Sequence, residues 1–298
     1  MKKLILAIVS ACLVTALVTW SVTLYWLERP ALDDSVVPST MRSTVLAEDR
    51  QFIVHLPASY ARDPGRRYPV IYVLDGSSQH AHTVESAALM SRIGVMPEVI
   101  VVGAPPVDGR GRERDYTPPG MRQDADVTDG PEGAADRFLA FLRDELIPRV
   151  ERDYRTDRPR MLAGNSRGGL FVVYSLLAEP SLFDARFAHS PALWRDEEAI
   201  VARLEQFLTS PQSTAGFLFL SLGDRENEKM TAAFERTVAM LEHSAPRTLR
   251  WRAELSRGGD HGNNAHLSTP VGLYAMFAKG EPPSPNPVGA DPTTGAHR

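Results

Sequence analysis

The chain of 298 residues is predicted to fold as an α/β protein, a mostly parallel central sheet with helices on both faces. Three observations carry this prediction. Short apolar runs alternate with longer stretches whose apolar residues recur at helical spacing. The runs are β-branched and show no polar alternation, as strands covered on both faces require. One of them, residues 160–163, breaks at Gly164-Asn165-Ser166-Arg167-Gly168 and resumes as the apolar stretch Leu170–Leu177, which reads as strand, tight turn and helix with a serine at the apex.

Taken in order, Leu4–Leu27 holds no charged residue and follows Lys2 and Lys3. At about 1.5 Å per residue it can cross a hydrocarbon core of roughly 30 Å, so residues 1–27 read as an N-terminal transmembrane anchor. The lysines before it place the N-terminus in the cytoplasm and the rest outside, which implies a single-pass inner-membrane protein with its main domain facing the periplasm. A cleaved signal lacks a small-x-small site near Trp20–Leu27, and Val9-Ser10-Ala11-Cys12 resembles a lipobox whose apolar run continues past the cysteine. Cys12 is the only cysteine, so the exported part holds no internal disulfide. Residues 28–42 read as a linker, 43–279 as one domain, and 280–298, rich in proline and glycine, as a disordered tail. A net charge of -4 gives no basic field and excludes nucleic acid as an expected partner.

Within the domain, Val45–Leu56 reads as one or two strands of a hairpin around Glu48-Asp49-Arg50. Val70–Leu74 and Val99–Val102 read as buried parallel strands. Phe138, Leu139, Phe141, Leu142, Leu146 and Ile147 predict a helix over Gly133–Val150. After the serine turn and its helix come a short strand near Arg186–Ala188, a helix over Asp196–Leu208, a strand over Phe217–Leu222, a helix over Lys229–Leu241, a strand over Leu249–Leu255 and a last helix from Thr269. Ligands of such a sheet bind beyond the carboxyl ends of its strands.

A serine hydroxyl is a weak nucleophile at neutral pH and needs a histidine to take its proton and a carboxylate to orient that histidine. For a serine on this kind of turn the chain order is serine, acid, histidine. His261, in the glycine-rich loop after the last strand, fits that order; His266 reads as the start of the final helix, His243 as a helix-end cation and His297 as part of the tail. The strand over Phe217–Leu222 ends in Gly223-Asp224-Arg225-Glu226-Asn227-Glu228, with Glu226 favoured as the acid and Asp224 as the alternative. The backbone amides of Arg167 and Ser77 are candidates for an oxyanion hole, the first by following Ser166 and the second by lying on the turn after Val70–Leu74; Ser77 and Ser78 read equally as plain turn residues. His80-Ala81-His82 is the nearest approach to a metal pair, read as a solvated turn without a third ligand, so no metal or cofactor is implied.

The segments Tyr68–Gly76, Arg112–Pro118, Gly164–Gly169, Ser190–Trp194, Gly223–Glu226 and Gly258–His261 together resemble the bacterial putative-esterase group of the α/β-hydrolase superfamily. That group includes siderophore-hydrolysing esterases of the ferric enterobactin esterase type and is related to esterase D. The resemblance covers residues 43–278. It implies an α/β-hydrolase fold and a serine esterase that cleaves small-molecule carboxylic esters through an acyl-enzyme, with Ser166, His261 and Glu226 as its catalytic set. It also implies a substrate cleft that includes Arg112 and Arg114, as cations for an anionic substrate, and Trp194, as a stacking surface for an aromatic acyl group. Two alternatives remain at this point: an acyltransferase on the same residues and a non-catalytic binding domain on the same fold.

Overall fold

In the computed structural model, residues 35–123, 131–210 and 216–278 are described. The chain divides into two units after Val36, the second being Val37–Arg298. The anchor expected over 1–27 and the tail over 280–298 lie outside the described residues. Among the described residues no helix is long and apolar enough to cross a membrane.

Eight strands form one sheet in the order β1-β2-β4-β3-β5-β6-β7-β8. They are β1 (Val36–Arg42), β2 (Asp49–His55), β3 (Tyr68–Leu74), β4 (Ile100–Ala104), β5 (Thr156–Asn165), β6 (Ala185–His189), β7 (Gly216–Gly223) and β8 (Leu249–Ser256). From β4 to β8 every pairing is parallel, while β2 runs antiparallel to β4. Strand β3 is wholly buried because both faces of the sheet are covered. Ile71 and Val73 pack beneath α1 (Gly76–Arg92) and α8 (Asn264–Phe277); Val70, Tyr72 and Leu74 pack beneath the helices in between. Those are α2 (Gly109–Tyr116), α3 (Ala135–Phe141), α4 (Ile147–Asp153), α5 (Arg167–Ala178), α6 (Ala199–Leu208) and α7 (Glu228–Ser244).

The structure departs from the sequence reading at five places. Strand β1 occupies residues assigned to the linker; as the outermost strand it tolerates Pro38, which cannot donate to a ladder. The hairpin turn therefore falls at residues 43–48, closed by Ser43 N–H to Glu48 O at 2.9 Å. Helix α1 stands where a turn was read, since its first turns, Ser77-Ser78-Gln79-His80, carry no apolar stripe. Helix α2 has two glycines among charged residues and is fixed at its start by Asp108, whose carboxylate accepts from Gly111 N–H at 2.7 Å. The helix expected over Gly133–Val150 is interrupted by a π-helical segment, Leu142–Leu146, just ahead of Pro148, which has no N–H to continue the regular bonding pattern. Finally, α8 begins at Asn264 with Pro270 inside it. Its first turns read as loop because Ser268 and Thr269 are poor helix formers, yet their hydroxyls bond back to Asn264 O (2.7 Å) and Ala265 O (2.6 Å).

Three neighbouring strands end in backbone of the left-handed type. Asp75 after β3 has φ 54°, Ser166 after β5 has φ 59° and Ser190 after β6 has φ 42°. Such angles cost a non-glycine residue about 1–2 kcal/mol each.

Candidate active site

Ser166 sits between β5 and α5 with φ 59° and ψ −116°, which lifts its hydroxyl clear of the backbone. The sharp turn works only without a side chain at Gly164, where a Cβ would lie 2.6 Å from the Gly168 backbone. The second steric demand falls on Gly169 rather than Gly168: a Cβ at Gly169 would meet His189 O at 2.9 Å, whereas at Gly168 the nearest atom is Asp75 Oδ2 at 3.4 Å.

The turn after β7 and the loop after β8 touch backbone to backbone. A Cβ on Gly223 would lie 2.5 Å from Gly259 C, and Arg225 N–H donates to Gly259 O at 2.9 Å. This contact brings Glu226 and His261 together. Glu226 Oε2 is 2.8 Å from His261 Nδ1, and His261 Nε2 is 2.9 Å from Ser166 Oγ. A carboxylate only accepts, so Nδ1 carries the proton and Nε2 is left to accept from the serine. Asp224 does something else: its carboxylate accepts from Gly258 N–H at 2.8 Å and holds the histidine loop. Asp260 folds the loop further, accepting from Gly262 N–H (2.9 Å) and Asn263 N–H (3.0 Å).

The two partners differ in exposure: the His261 side chain is 49% exposed and that of Glu226 is 0%. Burial pushes the Glu226 carboxyl up, but hydrogen bonds from His261, Ser190 and Gly223 N–H outweigh it and hold the group below the ordinary carboxylate range. Arg167 opens α5, whose first backbone bond is Leu170 N–H to Ser166 O at 3.0 Å, and Ser77 lies in the first turn of α1, whose first bonds reach Asp75 O. Both amides thus sit at helix N-termini, where the backbone favours negative charge.

A family model described as "Putative esterase" matches residues 43–266. The chain belongs to this esterase family. It is a carboxylic-ester hydrolase. Among its relatives, the ferri-bacillibactin esterase BesA of Bacillus subtilis is 29% identical over 253 residues, covering 78% of this chain and 86% of the relative. The apo-salmochelin esterase of Escherichia coli is 31% identical over 149 residues, 47% of this chain and 46% of the relative. Of solved structures, an IroE-like serine hydrolase from Shewanella oneidensis superposes with a TM-score of 0.71 at 27% identity, covering 81% of this chain and 80% of the other. The BES protein from Bacillus cereus shares the fold with a TM-score of 0.73 at 24% identity, over 85% of this chain and 99% of the other.

Arg112 and Arg114, read from the sequence as cations for an anionic substrate, each hold carboxylates of the chain itself. Arg112 makes a bidentate pair with Asp75, Nε to Oδ1 and Nη2 to Oδ2, both 2.7 Å, and Nη2 reaches Asn165 O at 3.3 Å. It therefore ties the turn before α1 to the residue preceding Ser166. Arg114 pairs with Glu48 (2.6 Å) and Asp115 (2.8 Å). Trp194 is half-buried against the core with Lys229 Nζ 5.9 Å from its ring centroid. Its segment reaches the nucleophile through Ala192 N–H to Ser166 O at 3.1 Å. His80 and His82 are helical rather than on a solvated turn, and His82 is buried with its ring 4.4 Å from that of His266. Among the described residues no group of three or more His, Cys, Asp or Glu is placed to hold a metal.

What sequence reasoning missed lies behind Glu226. Ser190, read as part of a substrate cleft, turns its hydroxyl inward to Glu226 Oε1. Asn264, Ser221, Ser268 and His189 continue the hydrogen bonding into the core, and no local spacing announces partners 32 to 79 residues apart. The His189 imidazole is pushed down to about 3 by burial and by His82, and His82 to about 4 by burial and by its neighbours His266 and His80. Both are neutral when folded, whereas an unfolded histidine takes a proton near pH 6.5. The unfolded state therefore binds more protons as pH falls below about 6.5, and stability drops across the window from about 6.5 to 4. Urea unfolding is expected to give a free energy more than about 1 kcal/mol lower at pH 5 than at pH 7.5. His189→Gln is expected to flatten that slope; an equal slope in the variant would remove His189 as its source.

Proposed function

We propose that this chain is a serine esterase that acts through an acyl-enzyme on Ser166, and that its substrates are ester-linked siderophores of the trilactone type. The observation that carries the mechanism is the continuous hydrogen bonding Glu226–His261–Ser166 at the carboxyl ends of β7, β8 and β5. His261 Nε2 takes the Ser166 proton as Oγ attacks the ester carbonyl. The amides of Arg167 and Ser77 receive the negative oxygen. His261 then returns the proton to the leaving alkoxide, and water, deprotonated by the same nitrogen, releases the acid and restores the serine. Glu226 keeps the imidazole in the required tautomer throughout.

The substrate class draws on relatives described as esterases of bacillibactin and salmochelin. Trp194, two residues after the Ala192 that bonds to Ser166 O, is read as an aromatic surface for a catecholate acyl group. The charge-free run Leu4–Leu27 supports an anchored protein with its catalytic domain in the periplasm, where an incoming siderophore passes. Treatment of the full chain with a fluorophosphonate is expected to place one adduct on Ser166 by mass spectrometry, absent in His261→Ala. Turnover is expected on trilactone esters above short-chain ones. An unlabelled Ser166 in the folded protein would refute the mechanism. Product formation that depends on an added alcohol rather than water would make it an acyltransferase.

A further inference from the structure

Ser190 Oγ has one proton to give and two lone pairs. Asn264 Nδ2 stands 2.9 Å from that oxygen and 3.1 Å from Ser221 Oγ, so both amide protons are committed to serine oxygens. Ser221 Oγ donates to Ser268 Oγ (2.8 Å), which donates to Asn264 O (2.7 Å). His189 completes the cluster, with Nδ1 2.8 Å from Ser268 Oγ and 3.1 Å from Ser221 Oγ and Nε2 3.4 Å from Thr269 Oγ1. Because Asn264 Nδ2 donates to Ser190 Oγ, the Ser190 hydroxyl gives its own hydrogen outward, to Glu226 Oε1.

Two further features fit a cluster kept for positioning rather than for packing. Ser190 holds φ 42°, with its N–H bonded to Ser221 O at 2.7 Å, and this backbone aims the hydroxyl inward. Asn264 is wholly buried, yet its Oδ1 has no hydrogen-bond partner, a cost that an apolar side chain of the same size would not bear. Turning the amide over would satisfy that oxygen by accepting from Ser190, and would take away the proton that Glu226 receives.

We propose that Ser190 and Asn264 are positioning residues for the acid: Asn264 sets the direction of the Ser190 hydroxyl, and Ser190, with Gly223 N–H at 3.2 Å, occupies Oε1 so that Oε2 alone faces His261. This rests on the reading of Ser166, His261 and Glu226 as the catalytic set. By drawing negative charge toward Oε1, the hydroxyl also limits how strongly the carboxylate holds a protonated imidazole, which keeps His261 a usable base. The other charged groups at this place are Asp224 and Asp260, both bonded to backbone N–H groups of the histidine loop, Arg225 on the acid's own turn, and His189, neutral within the cluster.

The test is the pH dependence of kcat/KM in Ser190→Gly and Asn264→Leu, made in the full chain. Glycine suits φ 42°, so Ser190→Gly loses the hydroxyl while relieving the backbone and keeps the fold. It is expected to lower kcat by about 10–100-fold with KM nearly unchanged, as for loss of a hydrogen bond to a charged group. The acid limb of its profile is expected to move up by about 0.5 pH unit or more. Asn264→Leu is expected to move both quantities the same way and less, since the hydroxyl remains but is free to turn. A wild-type limb and kcat in folded Ser190→Gly would overturn the proposal while Ser166 still takes the fluorophosphonate. Failure of the wild-type chain to take the label would instead refute the catalytic reading, and this proposal with it.

Discussion

His261→Ala is expected to lower kcat by about five to six orders of magnitude, with KM within a few-fold of wild type. The imidazole lies 2.9 Å from the Ser166 hydroxyl, and its other nitrogen is set by Glu226 at 2.8 Å. Without it the hydroxyl must lose its proton to water, and the leaving alkoxide has no acid to receive it. The elbow and the helix N-termini beside it are built by the backbone and persist, so a small rate above the uncatalysed reaction remains. Because the His261 side chain is half exposed, its removal opens a hole that reaches solvent. Added imidazole is therefore expected to restore part of the activity in a dose-dependent way, and steady-state kinetics with and without it checks both points. A variant that keeps a tenth of wild-type kcat would remove His261 from the mechanism.

The largest loss of stability is expected from Asp115→Ala, about 3–5 kcal/mol in urea unfolding. The Asp115 and Arg50 side chains are 1% and 2% exposed and lie 2.6 Å apart. Arg114 Nε meets the other Asp115 oxygen at 2.8 Å, and Arg50 also holds Glu48 at 2.9 Å. The Arg50 guanidinium lies 5.1 Å from the ring centre of Phe138 and 5.5 Å from that of Phe141, so it has no water to turn to when Asp115 is removed. The effect reaches the site through α2, the helix that carries Arg112 and Tyr116. Tyr116 accepts from Asp75 N–H at 3.2 Å while Arg112 holds the Asp75 carboxylate. Loss of activity is thus expected to accompany loss of stability. The double replacement Arg50→Met/Asp115→Leu, which leaves no stranded charge, is expected to recover most of the stability. A single variant within about 1 kcal/mol of wild type would mean that Glu48 and Arg114 suffice without Asp115.

The parts of the molecule legible in the sequence are those whose signal is local. The parallel strands announce themselves as β-branched runs, the tight turn as glycines around Ser166, and Glu226 and His261 as residues of the loops that follow two later strands. The choice between Glu226 and Asp224 needed the structure, because two residues on one turn point to different neighbours and spacing does not say which. Helices α1 and α2 were not legible, since Ser77–His80 and Gly109–Arg114 lack an apolar stripe; α1 starts at Asp75, held by Arg112, and α2 is capped by Asp108 and tied to Glu48 through Arg114. The partners of the arginines were hidden for a related reason: a guanidinium in a sequence carries a charge, but its counter-ion, here Asp75 or Glu48, comes from a distant segment. Ser190 and Asn264 are the extreme case, 74 residues apart and meaningful only as a pair.

Asp75, Ser166 and Ser190 close three adjacent strands with backbone wound against the preference of L-amino acids. The rim of the sheet where the chemistry gathers is therefore the part of the scaffold that would gain most from being rebuilt with glycine. A lineage freed from the need to turn over esters and selected only for durability would erode this rim first, and would keep the sheet and the helices on its two faces long after the serine was gone.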